Sequence, residues 1–136
     1  MGLRANAIEH PDKTAIVMVE GGDTLSYREL SERADQYANL FRELGCRTGD
    51  GIAFTIENCP EFYAICFGAL RCGLYYTAIS TYLSPAETHY IVEDCGARLY
   101  ISSAHFASHA EGLGQLLPAD VSLFSLGGDK IGRAHV

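Results

Sequence analysis

Short apolar runs alternate with amphipathic stretches along the chain. Residues 14–20 (TAIVMVE) read as a strand and Gly21-Gly22-Asp23 as a turn, because glycine takes the positive φ that such turns need. Residues 24–26 return as a short partner strand. A helix then begins at Ser26, where Ser26 and Glu29 stand at capping-box spacing. Leu30, Ala34, Tyr37, Ala38, Phe41 and Leu44 follow as one apolar stripe, with Arg28, Glu32, Arg33, Asp35 and Glu43 off it. Gly45 comes next, at the position where a helix end favours glycine.

The pattern then repeats. Residues 51–56 (GIAFTI) read as a strand, and Asn58-Cys59-Pro60-Glu61 as a second capping box opening a helix that ends at Gly73. Residues 74–79 (LYYTAI) form the next strand. Ser84-Pro85-Ala86-Glu87 is a third box, with proline at the first helical position, and its helix stops before Gly96. Residues 98–101 (RLYI) give a strand. Residues 105–117 give a helix weakened by Gly112 and Gly114 and stopped by Pro118, and residues 121–126 (VSLFSL) give a last strand. Strand–helix–strand repetition with near-continuous apolar strands predicts an α/β fold, a parallel sheet with helices on both faces. No internal repeat, linker or domain boundary is visible. Residues 63–83 carry one charge, Arg71, and approach the length of a membrane span. The cap signal before them, Gly73 within them and the β-rich YYT run favour a buried helix feeding a buried strand instead.

Composition narrows the picture. A chain of 136 residues, 48% apolar and 20% charged, is one globular domain at most, long enough for a real core. A formal net charge of −7 argues against nucleic acid as a partner, because phosphate binding needs clustered lysine and arginine. The five cysteines show no C-x-x-C pair, and an odd count in apolar contexts reads as buried free thiols in a reducing cytoplasm. No secretory signal is visible in the opening residues, so a soluble cytoplasmic protein is expected.

Chemistry is sparse. There is no Walker-type phosphate loop and no G-x-S-x-G elbow. Gly45, Gly49 and Gly51 come nearest to a dinucleotide fingerprint, but they precede a strand where that fingerprint must follow one. His105 and His109 stand four apart on one helix, yet two ligands without a third do not make a metal site. Glu93 and Asp94 are adjacent and so cannot face each other; they read as a surface pair near a helix end. Ser102 and Ser103 follow a strand and could meet an anion at a helix start, or more simply cap that helix. Ligands of open parallel sheets bind beyond the carboxyl ends of the strands. Here those ends are Glu57-Asn58, Ser80-Thr81 and Ser102-Ser103, without a basic pair, a metal set or a nucleophile–base pair. No catalytic, cofactor-binding or metal residue is assigned. A stand-alone α/β binding or signalling domain is the alternative reading; a receiver-like module would need an acidic cluster where Glu57, Ser80 and Ser102 stand.

Several runs together resemble the N-terminal part of acyl-CoA synthetases, members of the adenylate-forming (AMP-binding) superfamily. Thr24-Leu25-Ser26-Tyr27-Arg28-Glu29-Leu30 is similar to the family's T-x-Y-x-E-L, and Gly45 with Gly49-Asp50 and the strand after them to G-x-x-x-G-D-x-V-A. Asn58-Cys59-Pro60-Glu61-Phe62 resembles N-x-P-E-F. Leu83-Ser84-Pro85-Ala86-Glu87 with Tyr90-Ile91 resembles L-x-P-x-E-x-x-Y-I. The likeness covers roughly residues 7–103; Ala78-Ile79-Ser80 departs from the family's usual Pro and Asn. It implies an incomplete N-terminal subdomain of the adenylate-forming fold. In the family a carboxylate attacks the α-phosphate of ATP to give acyl-adenylate, and CoA thiol then displaces AMP. The resemblance therefore implies ATP, Mg²⁺, CoA and a small carboxylate, with a lean to fatty acids from GLYYTAIS and IVEDCGAR. These would be held by downstream motifs, leaving this segment inactive alone and binding none of them. Asp50 and Glu61, at family positions, read as a turn and a capping box. Residues 131–136 (IGRAHV) back-translate to ATC GGA AGA GCA CAC GTC, a sequencing-adapter string. They are set aside, leaving residues 1–130 as the partial AMP-binding domain.

Overall fold

The computed structural model describes residues 2–103, 106–127 and 130–133. Its contacts gather into two compact units, Met1–Thr48 with Asn58–Gly73, and Gly49–Glu57 with Leu74–Val136.

The first unit holds α1 (Leu3–Glu9), β1 (Thr14–Val17), β2 (Thr24–Ser26), α2 (Tyr27–Glu43) and α3 (Pro60–Arg71). The sequence gives no signal for α1, whose N-cap Gly2 offers no capping side chain. β1 and β2 pair antiparallel, from Thr14 against Ser26 to Val17 against Thr24. β1 is shorter than expected because the connection already begins at Met18, whose N–H donates to the Asp23 carbonyl at 2.8 Å. The Ser26 box forms fully: Glu29 N–H donates to Ser26 Oγ, and Ser26 N–H to Glu29 Oε1, both at 3.1 Å. At the far end Gly45 takes φ +83°, which lets its N–H reach the Arg42 carbonyl and the Cys46 N–H reach Phe41, both at 3.0 Å.

The second box does not form. Pro60 occupies the first helical position, so Cys59 is the N-cap, without a side-chain bond, and Glu61 falls one residue short of the position a box needs. Glu61 turns to α2 instead. Small residues bring α2 and α3 close: a Cβ on Gly68 would stand 2.7 Å from Tyr37 Cβ and 3.0 Å from the Ala34 carbonyl oxygen. The apolar run expected to split at Gly73 does so. α3 ends at Arg71 and the chain re-enters as a strand, so no helix of the described residues is long and apolar enough to cross a membrane.

The second unit is α/β, as expected. It contains β3 (Gly51–Thr55), β4 (Tyr75–Ala78), α4 (Pro85–Asp94), β5 (Ala97–Ser103), α5 (Ala107–Gly114), β6 (Ser122–Gly127) and β7 (Lys130–Arg133). The strand order is β4-β3-β5-β6-β7; the first four are parallel and β7 runs antiparallel beside β6. β7 falls mainly on residues set aside above; Ala134, His135 and Val136 lie outside the described residues. Ala53, Tyr100 and Leu123 stand in register across three strands and pack with Val92 of α4 and Leu113 of α5. Their neighbours Ile52, Phe54, Leu99, Ile101 and Phe124 are buried too, which is why these strands read as continuous apolar runs. The Ser84 box forms, with both bonds at 3.2 Å. α5 is shorter than expected and ends at Gly114, where the Leu116 N–H already turns to the Leu113 carbonyl at 2.8 Å.

Candidate functional site

The strand order reverses around β3. The chain leaves β3 for β4 on one side, then crosses to β5 on the other and continues to β6. Connections from β3 and β5 therefore diverge, and the crevice beyond their carboxyl ends is where open α/β sheets place ligands.

At that edge the polar groups pair with one another. The Tyr100 hydroxyl donates to Thr55 Oγ1 at 2.6 Å, and both residues are buried. Burial pushes the Tyr100 phenol up to about 12. The Ser103 hydroxyl donates to Glu57 Oε2, and the Ser102 hydroxyl to the Ser103 carbonyl at 3.2 Å. Ser103 is only 4% exposed, so its hydroxyl is not open to an electrophile. Ser102 and Ser103 do not cap α5, whose N-cap is Phe106, and neither stands at a helix N-terminus where an anion would dock. Hydrogen bonds here satisfy buried groups across β3 and β5; they hold the strand ends in register. The phosphates of ATP meet no cationic side chain at this edge. Residues 55–57, 79–81 and 102–103 include no lysine or arginine, and Glu57 adds negative charge. Among the described residues no group of three His, Cys, Asp or Glu side chains could hold a metal.

Other residues singled out above have structural partners. His109 Nε2 lies 3.1 Å from the Leu83 carbonyl and 3.2 Å from Thr88 Oγ1; the carbonyl only accepts, so Nε2 carries a hydrogen and ties α5 to the start of α4. His105 lies outside the described residues. Glu93 and Asp94 are exposed, and Glu93 faces His89 one turn back at 3.7 Å. Ser80 Oγ accepts from the Tyr82 N–H at 3.2 Å. The Asp50 carboxylate stands 3.5 Å from the Arg98 guanidinium, and its carbonyl accepts from the Tyr75 N–H at 2.9 Å. Glu61 pairs with Arg33 at 2.5 Å and accepts from the Tyr37 hydroxyl. Burial first, and the Glu61 carboxylate second, hold the Tyr37 phenol far above its ordinary value. Arg71, the one charge in the apolar run, donates to the Ser31 carbonyl and to Asp35, both at 2.7 Å. The Thr55–Tyr100 pair was not legible locally, since it depends on which strand lies beside β3.

A cavity of about 570 Å³ lies wholly in the first unit, lined by Leu3, Ile16, Tyr27, Leu30, Tyr63 and Phe67 among others. Its lining brings no charged side chain to a ligand.

A sheet with four parallel strands and an order that reverses beside β3 defines an α/β domain whose strand-end polar groups pair with one another. The family model for AMP-binding enzymes matches residues 3–127, and the chain belongs to that family, in its N-terminal part. A crotonobetaine/carnitine–CoA ligase of Salmonella paratyphi A is 35% identical over 84% of this chain and 26% of its own length. The anthranilate CoA ligase AuaEII, solved with anthranoyl-AMP, superposes with a TM-score of 0.83 at 27% identity, over 91% of this chain and 24% of that one. The N-terminal domain of FACL13 from Mycobacterium tuberculosis superposes equally well, at 0.83 and 26% identity, over 93% of this chain and 33% of that structure. The chain thus spans about a quarter of the curated relative it matches.

Proposed function

We propose that this chain is the N-terminal portion of an ATP-dependent acid–CoA ligase, which activates a carboxylate as acyl-AMP and transfers it to CoA. The observation that carries the reading is the family match over residues 3–127, joined to relatives whose own names are CoA ligases and which are about four times longer. In this reading ATP, Mg²⁺, CoA and the carboxylate are held by the remainder of the polypeptide, the 136-residue chain is inactive alone, and the enzyme works in the cytoplasm. Residues 131–136 are read as adapter-derived sequence rather than part of the ligase, although residues 131–133 lie in β7 beside β6. This chain's own share is a scaffold: the β3–β5 edge keeps its polar groups paired with one another, and so supports later segments without gripping phosphate.

A fatty acid is the proposed substrate class, supported by a fatty acyl CoA synthetase of Mycobacterium tuberculosis at 26% identity. A short polar acid is the second reading, favoured by the higher identity to the crotonobetaine/carnitine ligase.

The test is carboxylate-dependent ATP–pyrophosphate exchange across short polar, aromatic and fatty acids. The purified 136-residue chain gives none, whereas a polypeptide extended to the length of the relatives exchanges with one of these classes. Robust exchange from the short chain overturns the scaffold reading, and no exchange from the extended one overturns the ligase reading.

A further inference from the structure

No further inference is drawn: the strongest candidate, the uncharged cavity of about 570 Å³ in the first unit between α1, the β1–β2 hairpin and the start of α3, is an open recess, and nothing in the structure shows what covers it.

Discussion

Helices α2 and α3 in the first unit meet through Ala34, Tyr37 and Gly68, close enough that one added methyl collides with the Tyr37 Cβ and crowds the α2 main chain. Helix α5 in the second unit is looser: a Cβ on Gly112 would meet only the Pro85 ring, at 3.3 Å. The polar ties differ as well. Charged groups span α2 and α3, Arg33 to Glu61 and Arg71 to Asp35, and they remain partly wet. Neutral hydroxyls span β3 and β5, where Thr55 and Tyr100 are dry. The first unit is thus specified by how near two helices can come. The second is specified by which strands lie side by side, with its helices acting as cover.

The largest expected effect breaks the helix pair. Gly68→Val destabilises by about 3 kcal/mol, through overpacking against main chain that cannot yield. Gly112→Ala, placed on a flexible ring, changes stability by no more than about 0.5 kcal/mol, because the helix-propensity gain offsets the tight contact. Thermal melts of the two variants read this contrast; equal losses would remove the distinction between the units.

Next comes the dry pair. Thr55→Val strands the buried Tyr100 hydroxyl and costs about 1–3 kcal/mol, whereas Thr55→Val with Tyr100→Phe recovers most of the loss, since neither group is then left unpaired. A double-mutant cycle in urea measures the coupling. Additive losses would show that the hydrogen bond does not hold the strands.

Alkali tests the two buried phenols together. Tyr100 titrates near 10.0 when unfolded and near 12 when folded, so the folded state binds the extra proton and stability falls as pH rises through that window. Tyr37 is shifted in the same direction. The Tyr37→Phe, Tyr100→Phe double variant flattens the decline between pH 10 and 12, and an unchanged slope would contradict the burial of both phenols.

A milder pair of losses sharpens the comparison by using one motif in both units. Ser26→Ala and Ser84→Ala each remove a complete capping box and cost about 1 kcal/mol. A much larger loss at one serine, measured by denaturant melts, would show that its helix carries its unit alone.

Local chemistry made much of this fold legible. Ser26 with Glu29, Ser84 with Glu87, and the glycines after α2, α3 and α4 announce starts and stops that depend on neighbours only. Asn58 misled because Pro60 at the first helical position shifts the frame by one residue, freeing Glu61 for Arg33 and Tyr37. The α/β class was readable from doubly buried strands, but their order was not. Placing β5 rather than β6 beside β3 is a long-range choice, and it alone brings Tyr100 to Thr55 and Ser103 to Glu57. The candidate site was therefore legible as a set of strand ends and illegible as a set of pairs. His109 shows the same limit, since the Leu83 carbonyl that orients it comes from a distant loop.

Titrating Mg·ATP into the 136-residue chain, with amide shifts followed by NMR, tests the scaffold account most directly. The account predicts no saturable shift at residues 55–57 or 102–103 up to millimolar nucleotide, while a full-length relative binds under the same conditions. Saturable binding that moves those strand-end amides would contradict it.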